Sequence, residues 1–331
     1  MLEVKIYDEK DEKAWDRFVE EDAVNGTFLQ TRRFLNYHPA ERFQDNSCIV
    51  VNEKKQIIAV VPACIEYEDG DKVLYSHLGS TYGGVIVGRK WYKASKVIEI
   101  IQALEKHWCL MGVRKVVLKQ TPSLLAVENA DLMQYCFYYL GFQCCNELNL
   151  YIDLKKYSKD ILSEFSQGKR TDVHNCIKKG LSYRKISSFE EIEKLHALLQ
   201  TTLSKYGKKP IHTVAEIYDF QSSRLHNECE CFGAFDENEM VAASMMFYFN
   251  QVNVAHAQYL CADPEYNRLS SMTFMYYAML TEMRVRGFEK VSWGIATEDQ
   301  GRYLNEGLVK SKEYYGSKHS VNQTFTKVLK N

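Results

Sequence analysis

An excess of either charge is missing from this chain. Its 42 lysines and arginines are matched by 43 aspartates and glutamates, for a formal net charge of -1 at pH 7. No global field therefore draws it to nucleic acid, and any tRNA contact needs a local basic patch. Proline and glycine are sparse, 5 and 17 in 331 residues, which argues against a long flexible linker. There is no uninterrupted apolar run of about 18 residues, so nothing reads as a membrane-spanning helix. The first residues, Leu2-Glu3-Val4-Lys5-Ile6-Tyr7-Asp8, alternate and turn acidic, unlike a signal peptide. A phosphate-binding P-loop and a Ser-His-Asp order are both lacking. The 10 cysteines are scattered. Only Cys144-Cys145 and Cys229-x-Cys231 are close pairs, and neither has the two-residue gap of a zinc knuckle. Reduced, buried thiols in a cytoplasmic protein are expected, with no metal and no tightly bound cofactor.

Apolar residues make up 46% of the chain and charged residues 26%, enough for a full core. The length suits two domains, expected at 1–155 and 156–331. Residues 11–22 and 31–37 read as short amphipathic helices. Cys48 to Val51 and Ile57 to Tyr67 read as a hairpin, and Val73 to Leu78 as a further strand. Gly79-Ser80-Thr81-Tyr82-Gly83-Gly84 is a glycine-rich loop. Val97, Ile100, Ile101, Leu104 and Trp108 recur at helical spacing over 93–111, and Gly112 stops that helix. A strand at 115–119, a helix at 132–140 and a strand at 149–154 complete the first half.

The second half repeats this plan. A hairpin around residues 232–242, a helix from Ser271 to Arg286 stopped by Gly287, and a strand at Glu289-Lys290-Val291 echo the first half. Hairpin, strand, helix, strand, helix is an α/β order with a mixed sheet. Two copies predict a pair of similar domains and not a solenoid. Between the halves, Ser158 to Gly180 reads as a helix. Ile161, Leu162, Phe165, Val173, Cys176 and Ile177 face inward, while Arg170, His174 and Lys178 face out at i, i+4 and i+8.

The stretch from Arg286 to Gly316 sets a strand with Trp293-Gly294 before a polar loop, then Ser311-Lys312-Glu313-Tyr314-Tyr315-Gly316. This resembles the closing motif of the Fem-type peptidoglycan aminoacyltransferases, an aromatic, a lysine, two free positions, an aromatic and a glycine. Lys312, Tyr315 and Gly316 match, and Ser311 stands at the first aromatic. Proteins of this family resemble two GNAT acyltransferase domains in tandem. The resemblance implies an α/β (α+β) fold of two tandem GNAT-like domains, each a mixed, largely antiparallel sheet flanked by helices. It implies an N-acyltransferase, acetyl- or aminoacyl-type. The donor would be acyl-CoA or aminoacyl-tRNA, the acceptor an amine on a cell-wall precursor, sugar or peptide. Two other classes stay open: an eroded GNAT-like binding module, and an RNA-binding protein using the basic stretch at 169–185.

Acyl transfer to an amine needs a polarised carbonyl, a neutral amine and alignment of the two. By resemblance Lys312 would stabilise the developing oxyanion. On the donor side stand Arg268, Ser270, Ser271 and Met272, where a GNAT pyrophosphate cradle has glycines, with Trp293 and Gly294 lining the pocket. Serines at a helix start can still meet an anion. For the acceptor, Arg170 and Lys178 are candidate phosphate or carboxylate ligands or a solvated face. Tyr82 and Gly83 form a wall, an anion nest or a plain turn. Tyr315 supports substrate or packs in the core. His256 and Gln258 are expected to share one face of a strand at 252–260, with Tyr259 on the other.

Overall fold

A computed structural model describes residues 2–39, 41–157 and 160–330. Ser158, the expected start of the central helix, lies outside them. The chain divides into two units. One comprises Met1–Glu147, Asp299–Gly301 and Val321–Asn331; the other comprises Leu148–Glu298 and Arg302–Ser320. This corrects the expected division at 155/156. Its cause is a long-range pairing, since the last strand returns to the first unit.

The first unit opens with β1 (Glu3–Ile6), α1 (Glu12–Arg17) and α2 (Arg32–Leu35), followed by β2 (Gln44–Asp45), β3 (Cys48–Val51) and β4 (Ile57–Val61). β5 (Ala63–Glu68), β6 (Asp71–Ser76) and β7 (Ile86–Val87) come next. β1, β3, β4 and β7 form one antiparallel sheet. The sequence reads residues 57–67 as one strand, but Pro62 divides it. Proline brings no ladder donor, so the strand breaks there and β5 joins a second sheet. There β5 pairs with β2 and β6, and β6 runs parallel to β8 (Lys115–Lys119). The crossover between these parallel strands contains α3 (Ala94–Leu110), which buries Val97, Ile100, Ile101, Leu104 and Trp108 as its spacing predicts. Helix α4 (Asp131–Tyr139) precedes β9 (Gln143–Asp153), a strand that begins in the first unit and ends in the second.

In the second unit a 3-10 turn (Ile161–Glu164) leads to α5 (Gln167–Lys178), so the central helix is shorter than expected. Val173 and Cys176 are buried, whereas Ile177 is 49% exposed because its position falls between the two faces. β10 (Ser182–Ile186), α6 (Phe189–Ser204) and α7 (Val214–Asp219) follow. β11 (Cys229–Asp236), β12 (Glu239–Phe249) and β13 (Val254–Ala262) form an antiparallel run with β10. α8 (Ser271–Val285) then crosses to β14 (Lys290–Ile295), which lies parallel to β13. β14 also pairs with β9. Each unit therefore holds one parallel strand pair bridged by a long helix, β6–α3–β8 and β13–α8–β14. Met275, Met279 and Met283 of α8 are fully buried and form a core stripe. The ribbon β15 (Thr297–Glu298) and β16 (Tyr303–Leu304) leads to α9 (Glu306–Glu313). β17 (Lys318–Val328), unforeseen in the sequence, ends by pairing with β8.

Candidate active site

β13 and β14 touch along only part of their length. Their ladder runs from Val254↔Lys290 to His256↔Ser292, and both strands then continue without pairing to each other. At the split β14 bulges, so Ser292 faces Tyr151 and Gly294 faces Leu150. Gly294 takes φ +80, a conformation that costs a side chain strain. Backbone groups at the split are thus freed from the ladder.

α9 delivers Lys312 to this point. Asn305 caps the helix, its side chain accepting from the Leu308 N–H at 3.0 Å. Gly316, at φ +81, ends it. Lys312 is the one residue of α9 that is buried, while Lys310 is exposed. Its Nζ donates to the carbonyls of Trp293 (3.0 Å) and Gly294 (3.5 Å). An ammonium has three N–H groups, so one remains uncommitted. Among the described residues no carboxylate pairs with it. Burial alone pulls its pKa down to about 8. A desolvated cation held by carbonyl dipoles and lacking an anion is costly, which marks a functional position.

His256 stands beside it. Burial, and then the Lys312 charge, push its pKa down to about 4, so the imidazole is neutral at pH 7. Its Nδ1 is buried and has no partner. A Cβ on Gly294 would lie 3.6 Å from His256 Cε1, so the glycine keeps space beside the ring. The expected pairing of His256 with Gln258 is corrected. The β12/β13 register shifts, with Met245 facing Tyr259 but Met246 facing Ala257, so Gln258 is the extra residue of a bulge. Tyr259 thereby takes the face that His256 holds. Its hydroxyl meets His212 Nδ1 at 2.6 Å.

Supporting groups fix the lysine. Ser317 Oγ accepts from Trp293 Nε1 (3.0 Å) and donates to the Lys312 carbonyl (2.7 Å). Nothing in the sequence signals this serine. Ser317→Ala should cost about 1 kcal/mol in denaturant unfolding, because it leaves the indole N–H unpaired. Trp293 is itself buried, its ring 4.9 Å from Tyr276. Its carbonyl, and not its ring, therefore serves the site. Tyr315 is also a packed aromatic, against Phe165 (5.0 Å) and Tyr276 (4.7 Å), with its hydroxyl 3.1 Å from Thr273 Oγ1. Lys169, missed in the sequence, reaches Thr273 Oγ1 at 3.2 Å and lies 5.7 Å from the Tyr315 ring centroid.

At the start of α8, Ser270 adopts φ +53, the left-handed shape that glycine would supply, and its side chain makes no capping bond. Strain of this kind persists only where the surroundings impose it. Ser271 is buried, Arg268 is exposed and Met272 packs against the core. Arg170 is half-buried and Lys178 exposed on α5; neither forms an ion pair among the described residues. Tyr82 is buried in the first unit, and the Gly83 N–H donates to the Lys119 carbonyl there.

Residues 167–303 match a family model described as an acetyltransferase (GNAT) domain. Several solved structures share the fold over nearly the whole length of both chains. FemX has a TM-score of 0.71 at 11% identity, covering 99% of this chain and 97% of that one. The chain has the Fem-like tandem GNAT fold. L-PGS from Bacillus licheniformis gives a TM-score of 0.61 at 12% identity, covering 99% and 94%. A tandem GNAT protein from the clavulanic acid biosynthesis pathway gives 0.58 at 11%, covering 100% and 99%. No curated protein matches the chain in sequence. The GNAT match makes the second unit an acyltransferase domain, with the β13/β14 split inside the matched span and Lys312 beyond it. Among the described residues no helix is long and apolar enough to cross a membrane.

Proposed function

We propose that this GNAT-type enzyme transfers an acetyl or aminoacyl group to an amine of a cell-wall precursor, sugar or peptide. The donor is an acyl-CoA or an aminoacyl-tRNA. One observation carries the reading: a buried lysine with an uncommitted N–H sits where β13 and β14 part. A donor carbonyl seated there receives that N–H on its oxygen. The acceptor nitrogen attacks the carbonyl carbon, and the oxyanion that develops is held by Lys312 in a water-poor site. Collapse of the tetrahedral species breaks the C–S bond of a thioester or the C–O bond of a tRNA ester. The leaving thiolate or alkoxide takes a proton, and the nitrogen gives one up.

The left-handed Ser270 supports a donor phosphate at the start of α8, because it presents the backbone as a glycine cradle does. The Fem-type resemblance, with the fold shared with FemX, offers the precedent for an aminoacyl donor. Thermal unfolding with acetyl-CoA, free CoA and an aminoacyl-tRNA separates the donors. The true donor class should stabilise the chain by about 2.7 kcal/mol at a hundred times its dissociation constant. Neither donor stabilising the chain, together with no transfer from either to a panel of amines, would leave the binding-module reading in its place.

A further inference from the structure

One polar side chain at the strand split has no task in the mechanism above. His256 is the last residue of β13 to pair with β14, opposite Ser292. Two residues further along β14, the Gly294 carbonyl accepts from Lys312 Nζ at 3.5 Å. A Cβ on Gly294 would stand 3.6 Å from His256 Cε1, the ring carbon between the two nitrogens. The imidazole and the ammonium thus border the same glycine.

The surroundings of the ring fix where its proton sits. His256 is half-buried. Its Nδ1 is sealed from solvent and has no partner. Its Nε2 has no partner among the described residues either, but it keeps accessible surface. A proton on Nδ1 would bury a donor with nothing to receive it, and such orphans are rare. The neutral ring therefore carries its proton on Nε2, the edge open to a ligand.

The role follows from charge and from count. A ring that protonates only near pH 4 is a weak base for an amine, because a base works best with a pKa near the operating pH. Such a ring is instead a constant N–H donor, able to polarise a carbonyl without becoming charged. A carbonyl oxygen accepts two hydrogen bonds, and the uncommitted N–H of Lys312 supplies one.

We propose that His256 is a catalytic residue, the second N–H donor to the acyl carbonyl whose oxygen Lys312 also holds. This rests on the acyl-transfer reading. As the acceptor nitrogen bonds to the carbonyl carbon, the C=O electron pair moves onto the oxygen between the two donors. The pair returns, the C–S or C–O bond breaks, and the proton of the nitrogen goes to the leaving thiolate or alkoxide. The ring keeps its own proton throughout.

Single-turnover transfer tests this in the full chain. The donors are acetyl-CoA and glycyl-tRNA, the smallest aminoacyl-tRNA, and the acceptor is hydroxylamine, a small amine uncharged at neutral pH. His256→Ala should lower transfer by about 10². His256→Gln carries an amide N–H but is no base, and should recover about tenfold of that loss, one hydrogen bond's worth. Nitrogen-15 spectra of the parent give a readout free of turnover. The His256 signals, assigned by their loss in His256→Gln, should show a neutral ring at pH 7 with its proton on Nε2. These spectra decide the matter if His256→Ala fails to fold. A proton on Nδ1 would overturn the proposal, as would His256→Gln no more active than His256→Ala, which would make the ring a base. Loss of transfer in Lys312→Ala with none in His256→Ala would overturn it and leave the acyl-transfer reading standing. A parent chain that transfers neither acyl group, or that loses nothing on Lys312→Ala, would overturn both together.

Discussion

Lys312→Ala should lower acyl transfer by about 10²–10³, the usual effect of losing one oxyanion donor in a dry site. Stability should not fall with it. The ammonium has no carboxylate partner among the described residues, and its desolvation is relieved by removal. Lys310→Ala is the internal control, since that side chain is exposed on the same helix. It should change turnover little. Equal, small losses in both variants would make Lys312 a structural lysine. The lowered pKa adds a pH signature. Folded Lys312 releases its proton near pH 8, whereas the unfolded chain keeps it to about 10.5. Between those values the unfolded state binds more protons, so stability should rise with pH as turnover falls. The stability contribution is about 3 kcal/mol, at 1.36 kcal/mol for each pKa unit.

Gly316→Ala should have the second largest effect. Gly316 sits at φ +81, four residues after Lys312, where the helix ends. A Cβ there would stand 2.8 Å from Glu164 Cβ and 3.0 Å from Tyr157 Oη. Tyr157 in turn donates to the Tyr315 carbonyl at 2.8 Å, so these groups cannot simply withdraw. Left-handed strain and the clash together should cost about 2–3 kcal/mol in denaturant unfolding. Turnover should drop as well, because the segment that clamps α9 must shift. A variant as stable as the parent would show that the chain end relaxes freely.

This contrast shows what the sequence displayed. Lys312 and Gly316 were legible through a short motif, and α3 through its apolar spacing, because both are local signals. The parallel pairs were legible too, each as a strand, a helix and a strand. β17 was not. Its sequence, KHSVNQTFTKV, is polar, and its pairing with neighbouring strands, β8 among them, makes it a strand. The division of the chain was misplaced for the same reason. The bulge at Gln258 leaves no trace in the alternation from Ala255 to Tyr259, so the faces of Gln258 and Tyr259 were misassigned. Lys169 read as one more charge on a basic face. Its contact with Thr273 depends on α8 packing against α5, which local spacing does not encode.

The central claim is that the Lys312 ammonium, held where β13 and β14 part, stabilises the acyl-transfer transition state. The most direct measurement is the pH dependence of single-turnover transfer in the parent and in Lys312→Arg. An arginine stays charged across the whole range. The parent rate should fall as pH rises through about 8. In the arginine variant that fall should vanish, even if the overall rate is reduced. A falling limb unchanged by Lys312→Arg would contradict the account, since the titrating group would then be another.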